Sequence, residues 1–271
     1  MRAELIPRIL FGVYMVAFFL YLFAPLVVMG AAAFNTSRFP TITPWQGTTL
    51  DWFAAMWADQ AMWRALGTSL IVGIGVVAVA LPVGTAAALM LTSLHARARG
   101  FFYALMVSPL LTPGVVIGIA TLVLWRRFGV GGGTHLIIVA QASFIIAYVM
   151  LMIMARLQRF DRTQEEAALS LGASRFMVFR RILLPFLRPA LLAAGFIAFL
   201  QSFENYNTTL FVRGFDTPLT VYIATKVRTG LTPAVNALGL VLIVLTVLGA
   251  VAYEIARRSQ ARRAAAARAA G

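Results

Sequence analysis

Long apolar runs separated by short polar stretches dominate this chain. Uncharged runs of at least the roughly 20 residues that a helix needs to cross a bilayer lie at 9–34, 65–94, 101–125 and 136–155. Two more follow, at 190–212, interrupted only by Glu204, and at 235–255, with Glu254 near its end. In hydrocarbon the backbone N–H and C=O groups must find partners within the segment, so each run is predicted to be a helix. Pro109 and Pro113, in Ser108-Pro109-Leu110-Leu111-Thr112-Pro113-Gly114, remove two backbone donors midway along the third run. That helix should kink or unwind there. A broken helix can open its backbone to a transport path; a static packing kink is the other reading, and both stand at this point. The expected fold is an all-α membrane protein of six transmembrane helices, with residues 1–271 forming a single domain.

Charge orients the spans. Of the 23 basic residues, sixteen fall on one side if the N-terminus is inside: Arg2, Arg8, Arg97, Arg99, seven arginines from 156 to 188 and five from 257 onward. The excess of basic residues on cytoplasmic loops then places both termini in the cytoplasm. Hydrophobic residues make up 61% of the chain and mean hydropathy is +0.86, too apolar for an ordinary soluble domain. The net charge of +14 is scattered between and beyond the apolar runs rather than gathered in one patch, which argues for membrane topology over nucleic-acid binding. Ala31-Ala32-Ala33 could pass as a leader-cleavage site, but the run before it is too long, and cleavage would leave five spans. With no cysteine, disulfides and thiolate chemistry are excluded. His95 and His135 lack neighbouring ligand residues, so no metal site is expected.

The polar stretch at 156–189 reads as a hairpin of two short helices. Thr163-Gln164-Glu165-Glu166 fits a capping box, with Thr163 as N-cap and Glu166 reaching back to it. Ala167, Ala168 and Leu171 form a small apolar face, and Gly172 permits a sharp turn. Ser174 can cap a second helix through Phe176, Met177 and Phe179, after which Pro185 and Pro189 should restart the chain as the next span. Such a hairpin can dock in a partner's groove, with Phe176 and Phe179 as anchors, or lie on lipid headgroups.

Glu204 is the one acid well inside a predicted span, so it should face a cavity, a partner chain or water. Asn205, Tyr206, Asn207, Thr208 and Thr209 follow it. The cluster is either a cation-attracting patch in a pathway or a polar knot that fixes helix packing. Gly129-Val130-Gly131-Gly132-Gly133-Thr134 lacks the lysine of a phosphate-binding loop and is expected to be a flexible outer turn. The tail at 257–271 is rich in Arg and Ala and should lie against lipid headgroups.

Glu166-Ala167-Ala168, then Gly172, then Ile182-Leu183-Leu184-Pro185 resembles the "EAA loop" of ABC-importer permeases. The likeness extends to Phe34-Asn35, to Trp45-Gln46-Gly47-Thr48-Thr49-Leu50-Asp51-Trp52, to the Thr217–Tyr222 segment and to Gly230-Leu231-Thr232-Pro233-Ala234-Val235-Asn236-Ala237-Leu238, which look like the spermidine/putrescine branch. The resemblance implies a bacterial inner-membrane permease subunit that forms the path for a small solute, a polyamine first, and is not itself an enzyme. It implies ATPase docking through Glu166, Ala167, Ala168, Gly172, Phe176, Phe179, Ile182 and Pro185. The substrate pathway is expected at Glu204, Asn205, Tyr206, Asn207 and Thr208. The implied partners are a second permease subunit, an ABC ATPase dimer that holds the ATP and Mg, and a periplasmic or lipid-anchored solute-binding protein; this chain itself should bind no cofactor. Two departures, Glu204-Asn205 and Pro233-Ala234-Val235-Asn236, carry less negative charge than that branch usually does, leaving aminophosphonates, opines or other small amines open. A secondary carrier, the rival class, would show internal symmetry and ion-coupling acids beyond Glu204.

Overall fold

The computed structural model describes residues 2–230 and 232–269. Twelve helices follow in order: α1 (Arg2–Ala32), α2 (Asp51–Ala58), α3 (Gln60–Ser93), α4 (Ala96–Leu111), α5 (Gly114–Arg126), α6 (Thr134–Leu157), α7 (Thr163–Ser170), α8 (Arg175–Val178), α9 (Leu184–Phe203), α10 (Thr209–Val212), α11 (Leu219–Thr229) and α12 (Pro233–Ala269). They fall into two compact units, one of residues 1–60 with 225–271 and one of 61–224. Leu231, within the expected outer segment, and Ala270 and Gly271 of the basic tail lie outside the described residues.

Among the described residues four stretches are long and apolar enough to cross a membrane: Leu10–Ala32, Gln60–Ser93, Thr134–Leu157 and Arg175–Phe203. α4 and α5 are a bent pair that meet at 102°, and the apolar part of α12, Pro233–Gly249, is shorter. The predicted kink in the run 101–125 is thus a full break at Thr112-Pro113, and the prolines explain it. Pro109 has no N–H to give the carbonyl of Leu105, and Ser108 Oγ donates to that carbonyl instead at 2.8 Å. Thr112 is extended, as a residue before proline must be. Its amide turns to Pro109 O (3.2 Å), while its hydroxyl covers Ser108 O (3.1 Å). Pro113 then stands at the N-cap of α5, where a missing N–H costs nothing.

The run 190–212 also stops midway, at a position that hydropathy does not mark. α9 ends at Phe203, Glu204 is its C-cap, and the chain resumes as the one-turn α10 at Thr209. Glu204 therefore lies at a helix end rather than inside an unbroken span.

The larger unit is built on α6, whose Leu136, Ile137, Ala140, Ile145, Met150 and Ile153 are buried. α9 packs against it through Leu187, Ala194 and Ala198, and α3 through Val72, Val76, Ala80 and Leu91. Small residues set how near the backbones come, since lipid tails offer no hydrophobic drive between helices. A Cβ on Gly84 of α3 would stand 2.8 Å from Val149 Cβ and 2.9 Å from Ile146 O. The turn 129–134 is pinned rather than loose. Gly132 packs on the backbone of Gly214, and Gly133 N donates to Val212 O at 2.9 Å.

In the smaller unit α1 packs on α12, where Met29 occupies the space a Cβ on Gly239 would need. The loop after α1 is organised by Asn35, fully buried. Its Nδ2 donates to Thr41 O (2.8 Å) and Pro44 O (3.3 Å), and its Oδ1 accepts from Gln46 N (3.0 Å) and Ser37 N (3.3 Å). Trp52 Nε1 donates to Asn35 O at 2.7 Å. Phe34-Asn35 and Trp45–Trp52, separate segments in the sequence, thus meet where the loop enters α2.

Asp216 caps α6 from a distant loop: its Oδ2 accepts from both Thr134 N and Thr134 Oγ1 at 2.7 Å. These two bonds hold its carboxyl below the usual carboxylate range. A lowered folded pKa gives stability that is complete above the unfolded value of about 3.9 and is lost as pH falls through the folded one. Asp216→Ala should therefore cost about 1 kcal/mol at pH 7. In detergent, the melting temperatures of variant and parent should converge as pH drops through the acid range.

Candidate functional site

The hairpin between α6 and α9 opens with α7, and its cap differs from the expected box. Asp161, two residues before Thr163, does the capping: Oδ1 accepts from Thr163 N (3.0 Å) and Thr163 Oγ1 (2.7 Å). Those bonds lower the Asp161 carboxyl below its ordinary value. Thr163 is thus the first helical residue and a donor, because an Asp just upstream competes for the same amide. Glu166 is left free of capping duty and exposed in the first turn, where its charge suits the positive helix end.

α7 closes with a Schellman turn. Gly172 N donates to Leu169 O and Ala173 N to Ala168 O, both at 3.0 Å. Gly172 takes φ +84°, and no atom lies within 4 Å of where its Cβ would be. Glycine is needed here for its backbone, not for space. Ser174 caps the second helix as expected, accepting from Met177 N at 3.2 Å.

Pro185 and Pro189 do not restart the chain. The helix from Arg175 runs through both to Phe203, because a π-turn at Phe179–Leu183 absorbs the first proline. Beside the second, Arg156 Nε donates to Phe186 O at 3.2 Å, its guanidinium 4.1 Å from the Phe186 ring centre. Arg162 Nη2 reaches Thr92 O at the end of α3 (3.2 Å). These bonds tether the hairpin's base and leave its tip open. Leu171 is 89% exposed and Phe176 71%, with Leu169 and Met177 beside them. Ala167 is exposed, and Ala168 and Ile182 are half-buried. Phe179, expected as a second anchor, instead lines an apolar hollow of about 350 Å³ with Leu81, Pro82, Leu184 and Leu191.

The second candidate region joins the two helix breaks. Thr208 lies against the start of α5: a Cβ on Gly114 would meet Thr208 Oγ1 at 2.8 Å, and one on Gly118 would meet Thr208 O at 2.7 Å. Gly114 and Gly118, one turn apart, form the smooth face that admits this contact. The motif at 108–114 and the cluster at 204–209, almost a hundred residues apart in sequence, are therefore neighbours. Glu204 and Asn207 are exposed, Asn205 and Tyr206 half-buried, and Thr208 and Thr209 buried. Among the described residues Thr208 Oγ1 has no hydrogen-bond partner.

One residue of this region escaped the sequence reading. Gln141 of α6 is 1% exposed. Its Nε2 donates to Thr209 Oγ1 at 2.7 Å, and its Oε1 accepts from Ser202 Oγ. Thr209 Oγ1 in turn donates to Asn205 Oδ1 (3.1 Å), and Thr220 Oγ1 to Asn205 O (3.1 Å). The available signal was a lone amide in the otherwise apolar run 136–155. Among the described residues no group of three His, Cys, Asp or Glu could hold a metal ion.

Comparison with known proteins gives consistent results. The family model described as "Binding-protein-dependent transport system inner membrane component" matches residues 80–264. The spermidine/putrescine transport system permease protein PotC of Escherichia coli K12 is 30% identical over 261 residues, covering 95% of this chain and 97% of that one. The putrescine transport system permease protein PotI of the same strain is 32% identical over 255 residues, 90% of each chain. Among solved structures, a chain of a bacterial ABC transporter involved in the import of the acidic polysaccharide alginate superposes with a TM-score of 0.70 at 15% identity, over 95% of this chain and 98% of that one. A chain of an amino acid ABC transporter does so at 0.53 and 22% identity, over 73% and 94%. These structural likenesses establish the fold. With a family model spanning most of its length and a 30% identical relative along nearly all of it, this chain belongs to the inner-membrane components of binding-protein-dependent transport systems.

Proposed function

We propose that this permease subunit passes a small organic cation of the polyamine class across the inner membrane. The observation that carries the reading is 30% identity along 95% of the chain to a spermidine/putrescine permease. An exposed carboxylate, Glu204, and an exposed amide, Asn207, in the loop at one helix break support it, since such groups attract and hydrogen-bond an amine. The reduced negative charge at Asn205 and Ala234 favours, as a second reading, a related small amine of lower charge.

In this reading α7 and the tip of the hairpin dock on a separate ABC ATPase, which holds the nucleotide. A second permease subunit completes the path, and a solute-binding protein delivers the substrate from outside. The exposed Leu171 and Phe176, in the same hairpin as Glu166 and Ala167, support docking: they leave large apolar side chains for a partner to cover. The excess of basic residues on the hairpin side supports six crossings with both termini inside, the α4–α5 pair counting as one broken span.

Three results test these statements. Reporter fusions after Ser259 and within 156–162 should read cytoplasmic, and one near Asp216 periplasmic; a periplasmic C-terminus would overturn the orientation. For docking, Gly172→Leu forces a branched residue into a left-handed conformation, and Glu166→Arg opposes the helix dipole. Each should lower ATPase co-purification about tenfold or more while the chain stays in the membrane. Gly172→Asn, which tolerates that φ, should retain most of it, and undiminished ATPase binding in both damaging variants would sink the docking role. For the pathway, Glu204→Gln should weaken uptake of labelled spermidine or putrescine in vesicles holding the complete complex by roughly five- to a hundredfold. Glu204→Asp should keep much more activity; wild-type uptake with Gln would remove Glu204 from the path.

A further inference from the structure

We infer that Gln141 is the positioning residue of the solute path: its amide straps α6 across the break between α9 and α10 and so fixes the loop that presents Glu204 and Asn207. This rests on the reading that those two residues meet the solute.

Between Phe203 and Thr209 the helix is interrupted, and a loop of this kind in a membrane protein gains its shape from the side chains that tie it to neighbouring helices. Gln141 supplies the hold from both sides at once. Its carbonyl oxygen takes the hydroxyl of Ser202, in the last turn of α9, and its amino group gives to the hydroxyl of Thr209, the first residue of α10. Thr209 passes the constraint on: its hydroxyl and its amide both reach Asn205 Oδ1, at 3.1 and 3.3 Å. One buried amide thereby sets the two ends of the loop and, through Asn205, its interior. No other side chain type fits the duty so well. The site needs an acceptor and a donor on one planar group, aimed in opposite directions, and Ser202 and Thr209 are themselves buried. A buried network this complete is rigid, and losing one member leaves the others unpaired in a dry site. The backbone on the far side of the loop is held too, by the glycine face of α5 under Thr208. The strap therefore works against a fixed wall, and what it can move is the exposed part, Glu204 and Asn207.

The chain contains no cysteine, so a single Cys at position 207 reports on the loop directly. In the assembled complex, Asn207→Cys should react with a water-soluble maleimide at one rate in the parent and at a rate changed by about fivefold or more with Gln141→Leu, which removes both bonds. Uptake kinetics of the same amine should show KM raised by about tenfold with Gln141→Leu, with ATPase activity and subunit stoichiometry unchanged. Combined with Glu204→Gln, the two KM effects should fall short of adding, because one acts through the other. Ser202→Ala breaks only one bond and should give a smaller change in the same direction, so it serves if Gln141→Leu does not assemble. An unchanged labelling rate in every variant that assembles overturns the strap. Changed labelling and KM with fully additive effects of Gln141→Leu and Glu204→Gln overturns action through Glu204. Changed labelling with Glu204→Gln transporting normally keeps the strap and removes the pathway reading instead.

Discussion

Every polar backbone group within the hydrocarbon must be bonded by the protein itself, and this constraint shapes how the chain accommodates its prolines and helix breaks. Where Pro109 withholds a donor, Ser108 supplies one; where Thr112 turns its amide away, its own hydroxyl fills the gap. Ahead of Pro185 a π-turn redistributes the ladder. Across the gap between α9 and α10, Asn205 Oδ1 takes the amide of Thr209 and Thr220 Oγ1 donates to Asn205 O, while Gln141 ties the Ser202 and Thr209 side chains together.

Those repairs have a common geometric result in the larger unit. The break before α5 and the break before α10 adjoin, with the Gly114 and Gly118 face of one beneath Thr208 of the other. A glycine face is what lets two backbones come this near, and closeness lets a short polar loop be clamped on two sides. The exposed Glu204 and Asn207 belong to this loop.

The hairpin follows the opposite logic. Its base is bonded down, by Arg156 to Phe186 and by Arg162 to Thr92, while its tip carries large apolar side chains that the chain itself does not cover. Its short helix is held at both ends by backbone-directed devices, the Asp161 cap and the Schellman turn at Gly172. An element of eight residues is marginal by helix propensity alone, so these end locks give the tip a definite form without recruiting a hydrophobic core.

Much of this was readable from residues in order along the chain. Apolar runs located the long helices, because the need to satisfy the backbone in lipid acts on composition over about 20 residues. Gly172 and Ser174 marked the turn and the second helix, since left-handed φ and N-capping are local demands that particular residue types meet. Pro113 marked a break for the same reason. The sequence could not tell whether Thr163 or Asp161 would cap α7, as both are suitable and only geometry decides which carboxylate or hydroxyl wins the amide. Nor did it tell that α9 stops at Phe203, because no proline or glycine stands there and the break is held by Gln141 from another helix. Phe179 turning into a hollow while Phe176 stays outside, and Asp216 capping α6 from 82 residues away, belong to the same class. What the sequence determined by itself was set by neighbours within a turn or two; what the tertiary structure alone decided was which distant side chain met each broken or unfinished helix end.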